Sequence, residues 1–424
     1  MTEAFLHFVW QQGHFDPRNL KTSVGLNLQI LQRGILNTNS GPDFGESAIL
    51  VDNAQWYGFV EIHILASDWI AHKHHTDPAY NAVILHVVWE NDAEVHRLDG
   101  SVIPCLELKK LVPPGIFEHY QQLRENLNDI PCKTNLNNVN NEEKNATLKV
   151  ALNRNFEEKA GRILNLAAET ANNWQAVFYT LLCKYLGFKI NAPAMETLAK
   201  ITPFNLLAKH SSEPLQVEAL LFGQAGFLNG KFQKTYPKQL QKEYSYLQHK
   251  YQLSPMPLVS WKFMRMRPAN FPTMRIAQLA ALVLNGGYQF QQLINCNSVI
   301  QLKNILHCEP NDFWLNHYHF QSETIAKKSA QMGDMALNGI IINAVVPVLH
   351  AYGKYLGNME LQNKALRFLQ ETEPEKNVVV ARYEPLGFLN NNAAQSQSIL
   401  GLHKYFCSVK KCLDCSIGMR IILG

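Results

Sequence analysis

Four short stretches near the N-terminus carry the residues best suited to chemistry: Gly41-Pro42-Asp43-Phe44, Val60-Glu61-Ile62-His63, Ser67-Asp68-Trp69, and His72-Lys73-His74-His75-Thr76-Asp77. Asp43 sits just before one expected strand and Glu61 inside the next. A hairpin of antiparallel neighbours can bring two such carboxylates together. Glu61 and His63 are two apart, so on a strand they share a face. Two carboxylates with an imidazole or a backbone carbonyl suit Mg²⁺ or Mn²⁺. Such a site activates water and stabilises charge on a phosphate. The histidines allow a second reading. His72 and His74 share a face of extended chain, His86 is within reach, and with Asp77 they suit Zn²⁺, Fe²⁺ or Mn²⁺. The third reading is a solvated polar loop in which Asp68 and Asp77 cap turns. His86 taken alone reads as a core histidine, and His7 and His96 carry no signal.

A second constellation lies near the C-terminus. Cys407, Cys412 and Cys415 have the spacing C-x4-C-x2-C, and His403 precedes Cys407 by four residues. On an α-helix His403 and Cys407 would share a face. His403, Cys407, Cys412 and Cys415 thus form a candidate Cys₃His structural zinc site, with Lys410 and Lys411 offsetting thiolate charge. The same spacing fits an iron–sulfur cluster if Cys132, Cys296 or Cys308 supplies a fourth thiolate. Three buried thiols without metal are the plain alternative. Cys105 and Cys183 sit in apolar runs and read as small core residues.

The third feature is the stretch Trp261 to Arg275. Lys262, Arg265, Arg267 and Arg275 interleave with Trp261, Phe263 and Phe271. Arginine with aromatic stacking suits single-stranded nucleic acid or a phosphate backbone. An irregular loop anchored by its aromatics is the competing explanation. No G-x-S-x-G, H-E-x-x-H, Walker or G-x-G-x-x-G spacing occurs, which removes support for serine hydrolase, zincin, kinase and dehydrogenase chemistry.

The surrounding pattern says what must position these groups. Residues 1–115 hold 7 Lys and Arg against 13 Asp and Glu, whereas the remainder of the chain is basic overall. An acidic metal site joined to a polyanion-binding surface has this asymmetry, and so does ordinary surface variation. A helix is expected near Glu3–Gln12. Strands are expected at Ser47–Val51, Trp56–Leu65 and Val83–Trp89, the last apolar enough to be buried on both faces. Glu94–Leu98 and Ser101–Leu108 flank Asp99-Gly100, a hairpin signal. Seven asparagines between residues 128 and 145 predict a linker. Beyond it the apolar spacing turns helical, from Ala146–Ala171 through Trp174–Leu186 to Met335–Tyr355. The expected division is therefore 1–127 as a small α+β domain, 128–145 as linker, and 146–424 as α-helical with the cysteine cluster.

The chain is 424 residues, 46% hydrophobic and 17% charged, enough to bury a core and too weakly charged for a disordered polyampholyte. Its eight cysteines are too sparse for a disulfide framework. No signal-peptide pattern opens it and no run of 18 apolar residues occurs. These features predict a cytoplasmic, reduced protein with no membrane segment.

The Asp43 and Glu61 arrangement resembles the PD-(D/E)XK nuclease superfamily over roughly residues 40–110. There a Pro-Asp pair precedes one strand and Glu-x-Lys lies on the next, as Pro42-Asp43 and Glu61-Ile62-His63 do here, with His63 in place of the catalytic lysine. The resemblance implies an α+β fold with a small mixed sheet and flanking helices. It also implies a metal-dependent phosphodiesterase acting on nucleic acid. Asp43 and Glu61 would hold Mg²⁺ or Mn²⁺, His63 would orient or deprotonate water, and His72 and His74 would assist at phosphate oxygens. A neutral imidazole lacks the charge of lysine, so a non-catalytic nucleic-acid-binding or scaffold protein with a degenerate nuclease fold is the first alternative. A histidine-metal enzyme acting on a small molecule is the second. The whole chain also resembles an uncharacterised bacterial family sharing these landmarks, including the C-terminal cysteines.

Overall fold

The computed structural model describes residues 1–424 and divides the chain into two compact units. The first comprises Met1–Thr147 together with His403–Gly424, and the second Leu148–Leu402. The first is α+β and the second is almost wholly helical.

In the first unit, helix α1 (Glu3–Gln12) opens with Thr2 as its cap, the hydroxyl accepting from the Phe5 amide. It buries Phe5, Leu6, Phe8, Val9 and Trp10 and packs on the sheet. Strands β1 (Leu28–Gln32), β2 (Ile35–Leu36), β3 (Phe44–Val51) and β4 (Ala54–Leu65) follow. β1 and β2 both pair with β3, which pairs antiparallel with β4. The turn between β3 and β4 places Asp52 at φ 48°, a left-handed conformation that Asp tolerates. A four-residue helix, α2 (Asp68–Ala71), then crosses to β5 (Val83–Glu90), which lies parallel to β4. β6 (Cys105–Glu107) adds parallel to β5, so the sheet is mixed. β5 is buried from Val83 to Val88, as its apolar run, broken only by His86, requires. Gly58 permits the close approach of β4 and β5, because a Cβ there would stand 2.3 Å from the Ala82 carbonyl oxygen.

The expected hairpin around Asp99-Gly100 is reduced to one bridge between His96 and Val102. The turn itself forms, with Ser101 donating twice to Asp99 Oδ1. Pro104 has no amide to continue the ladder, and Cys105–Glu107 instead joins the free edge of β5.

Helix α3 (Pro114–Glu125) leads into the Asn-rich stretch, which is not a free linker. Ile130, Cys132, Leu136 and Val139 are buried within it. Helix α4 (Asn141–Glu169) begins inside that stretch. The expected boundary of 146–424 also moves, since His403–Gly424 belongs with the first unit, where the helix Ser416–Leu423 packs on α3.

The second unit has one large apolar core. α5 (Trp174–Leu186), α6 (Phe188–Ile201), Pro214–Gln224, Pro272–Leu284 and Met359–Glu371 contribute to it. Asp334–Tyr355 also enters this core, with a π-helical turn at Ile341–Val345. This last helix is long and apolar enough by composition to cross a membrane. It is instead a core helix, with 72% of its most apolar window buried.

Candidate metal centre

The first unit brings Asp43, Glu61, His63, His72 and His74 together, and adds His86, His7 and Glu3. Glu61 and His63 share a face of β4. In the parallel register Glu61 stands beside His86 of β5, so all three point the same way. Asp43 immediately precedes β3, where Phe44 pairs with Val60. The two carboxylates are interlocked through backbone: the Asp43 amide donates to Glu61 Oε2 at 3.0 Å, and the Ile62 amide donates to Asp43 Oδ2 at 2.9 Å. A register shift between Phe44 and Ser47, with Glu46 at φ 56°, bends the strand at this end.

The remaining histidines come from the α2 crossover. Asp68 Oδ2 accepts from the Leu65 amide, and Ser67 is tied to Asp92 through both its amide and its hydroxyl. Trp69 is fully buried, donates from Nε1 to the His96 carbonyl, and stacks edge-on with His74. His72 caps the helix, and Lys73 at φ 64° turns the chain back so that His74 faces the sheet. Tyr80 stacks on His74 with ring centroids 3.8 Å apart.

Donor atoms of His63, His72 and His74 converge within 4.8 Å of one another. Glu61 Oε1 lies 3.4 Å from His74 Nε2 and 3.6 Å from His63 Nε2. His63 Nε2 is 3.1 Å from His72 Nδ1, and its Nδ1 is 2.8 Å from His86 Nε2. His63 and Glu61 are buried, His74 is partly covered, and His72 is exposed. The cluster therefore has a closed floor and one open side.

The electrostatics are those of groups held close against their preferences. Burial and then Asp43 raise the Glu61 carboxyl to about 8. Burial and then the neighbouring His74 and His72 lower His63 to about 4. Burial also lowers His74, and pushes His86 well below the ordinary imidazole range. At neutral pH the floor is a protonated carboxyl beside neutral imidazoles. A divalent cation inverts that preference, favouring the carboxylate and the imidazole lone pairs.

The donor chemistry fits a borderline divalent ion: three imidazole nitrogens and a carboxylate. One buried atom bears on the same point. His86 Nδ1 has no hydrogen-bond partner. If His63 offers Nε2 to a metal, its Nδ1–H donates to His86 Nε2, and His86 holds its tautomer as the outer partner.

Two members went unmarked by sequence reasoning. His7 Nε2 lies 3.2 Å from Asp43 Oδ2, misaligned for a hydrogen bond. Glu3 is raised by burial and feels His72, Asp43 and His7. Their i, i+4 spacing on α1 was the available signal. Asp77 caps the next turn by accepting from the Ala79 amide, and Lys73 is exposed.

The other expected residues are placed elsewhere. Lys262, Arg265 and Arg267 are exposed in the second unit, but Arg275 is only 4% exposed. It donates to Asn270 Oδ1 and Gln278 Oε1, and its guanidinium covers the Phe188 ring. It is an interior residue, and the expected basic surface loses it.

Fold and cluster together define a two-unit protein with a mixed-sheet α+β unit bearing a histidine–carboxylate cluster, and a helical unit. A family described as a protein of unknown function (DUF2851) matches residues 3–378, and the chain belongs to that family. The match includes Cys132 and ends before Cys407. No curated protein and no solved structure matches the chain.

Proposed function

We propose that the first unit is a metal-dependent hydrolase of phosphodiesters, with nucleic acid as its substrate class. The observation that carries this reading is the convergence of His63, His72 and His74, with Glu61 Oε1 close to His63 and His74 and held beside Asp43. The order of elements supports it: a helix, an antiparallel meander, a short crossover and a strand parallel to the last. Asp43 at the head of β3 and Glu61 within β4 are the two carboxylates that the PD-(D/E)XK resemblance names, and their interlocked contact supports the reading.

The imidazole share of the donor set favours Mn²⁺, Fe²⁺ or Zn²⁺ over Mg²⁺. Mn²⁺ suits both the carboxylate and the histidine donors. When bound, the ion supplies Lewis acidity and a more acidic water. Glu61 and His63 form the buried part of the donor set and His74 is partly covered, while His72 is the donor on the open side, where a substrate would approach. Asp43 fixes Glu61 through its own amide. The neutral His63 cannot replace the charge of a lysine, so cationic stabilisation at the phosphate falls to the ion.

Purified protein is expected to cleave DNA or RNA only with a divalent ion, Mn²⁺ before Mg²⁺. Glu61→Ala and His72→Ala should each abolish cleavage. A protein that binds Mn²⁺ at this cluster and cleaves no nucleic acid under any of these ions sinks the phosphodiester assignment. The histidine majority would then favour a small-molecule substrate.

A further inference from the structure

Four cysteines of the first unit are brought to one region although 275 positions separate Cys132 from Cys407: the turn Cys412–Asp414 touches α3 and the turn that ends at Cys407, and Ser416–Leu423 touches α3 and the Asn-rich stretch after it. Cys132 lies within electrostatic reach of Cys407, Cys412 and Cys415 together, and Cys412 within reach of Cys407 and Cys415. Each is at least nine-tenths buried, with 9%, 8%, 9% and 7% of its surface exposed in chain order. The other cysteines are apart from this group. Cys308 neighbours Arg275 and Cys296 neighbours Lys364, both in the second unit.

The local chain is shaped around the sulfurs. His403–Cys407 is a π-helical turn, closed by the Ser408 amide on the His403 carbonyl. Lys410 follows at φ 53° and ties back by donating to the Arg124 carbonyl at the end of α3. A 3₁₀ turn, Cys412–Asp414, then delivers Cys415 to the N-cap of Ser416–Leu423. The Ile417 and Gly418 amides face the Cys415 sulfur and favour its thiolate, without closing a formal cap bond. Gly418 is required there, because a Cβ would stand 2.2 Å from the Cys412 carbonyl oxygen. Cys132 arrives from the Asn-rich stretch after α3, against which Ser416–Leu423 packs.

The structure assigns Cys132, Cys407, Cys412 and Cys415 to a four-thiolate centre for a thiophilic metal, Zn²⁺ or an iron–sulfur cluster, that fastens the C-terminal segment to the first unit. Cys132, within reach of all three other thiols, takes the fourth place in preference to His403. The four thiols are buried in one region of the first unit, away from water. A metal takes all four as thiolates, and their protons go to solvent. Lys410 and the Ile417 and Gly418 amides offset the remaining negative charge.

The test uses the full-length chain in a His72→Ala/His74→Ala background, so that any metal counted is not held by the sheet cluster. Elemental analysis with acid-labile sulfide is expected to give about one zinc per chain, or iron with matching sulfide and visible charge-transfer absorption. Cys132→Ser and Cys412→Ser should each cut that content at least about tenfold, whereas His403→Ala and Cys183→Ser should leave it unchanged. If the serine variants do not fold, the unsubstituted cysteines answer the question. After reconstitution with Co²⁺, they should show thiolate-to-cobalt absorption and resist a thiol reagent until the metal is extracted. Metal retained in full by Cys132→Ser, or no metal with four reactive thiols after reconstitution, overturns the assignment. Failure of the hydrolase reading does not affect these outcomes, which never read cleavage.

Discussion

Arg275 and Glu61 are both buried ionisable groups, and the two units treat them in opposite ways. Around Arg275 the helical unit supplies complements: an Asn oxygen, a Gln oxygen and an aromatic face, with only Nε left without a partner. The same unit pairs Asn155 with Gln397, and gives Lys364 the Ile294 carbonyl. Around Glu61 the α+β unit supplies like groups: another carboxylate, and imidazoles that lower one another's basicity. A satisfied buried polar group stabilises a fold and asks for nothing more. A cluster of donors with no cation among them is unfavourable until one arrives. Burial of charge alone therefore does not mark a functional site; the chemistry of the neighbours does.

The largest test of this contrast is catalytic. Glu61→Ala should lower Mn²⁺-dependent cleavage by about a thousandfold, or about 4 kcal/mol, because it removes the buried carboxylate donor. Arg275→Ala should leave the chemical step intact and destabilise the protein by about 3 kcal/mol, since the buried Gln278 and the partly covered Asn270 lose their partner. Denaturant midpoints and cleavage rates measured on both variants decide whether the two groups separate in this way. If Glu61→Ala merely unfolds and Arg275→Ala merely loses activity, the contrast is reversed.

The next effect in size is ligand stabilisation. Mn²⁺ at one hundred times its Kd should stabilise the protein by about 2.7 kcal/mol, read as a rise in Tm. His72→Ala/His74→Ala should remove that rise. His86→Leu sharpens the picture further. His86 is not a donor to the ion but contacts the ligand His63, so the variant should bind Mn²⁺ about 10- to 100-fold more weakly, in titration calorimetry, while keeping its fold. An unchanged Kd would make His86 only a core residue, as it reads in isolation.

Much of this geometry was readable in the residues. Alternation and apolar runs placed β3, β4 and β5, and the period of two put Glu61 and His63 on one face. The meeting of His63 with His86 was not readable, because it depends on the parallel register of β4 and β5, set by the α2 crossover. The contribution of α1 was also hidden: Glu3 and His7 lie on a helix defined by its apolar face, and only its packing on β4 brings their side to the site. Arg275 misled because interleaved arginines and aromatics look alike on a surface and in an interior. Cys132 sat in an Asn-rich stretch whose four buried residues outweighed its polar composition.

The smallest effect is the pH dependence of the metal-free protein, and it distinguishes the two halves of the cluster by sign. The His63 pKa is depressed in the fold from 6.5 to about 4, so the unfolded chain binds its proton more readily. Its contribution to stability is lost as pH falls through that window. The Glu61 pKa is raised from 4.5 to about 8, so the folded protein holds the extra proton. Its contribution is present at low pH and is lost as pH rises towards 8. Between about 4.5 and 6.5 the two oppose each other and the net slope is shallow. From 6.5 to 8 Glu61 acts without His63, joined at the lower end by Glu218, which burial raises to about 7, and stability should fall by about 1–2 kcal/mol. Glu61→Gln should flatten that limb in denaturant titrations run without metal. Saturating Mn²⁺ should reverse it, because the ion binds the carboxylate and so gains affinity as the proton leaves. A limb that persists in Glu61→Gln, or that Mn²⁺ does not reverse, would show that the buried carboxyl titrates apart from the donor set.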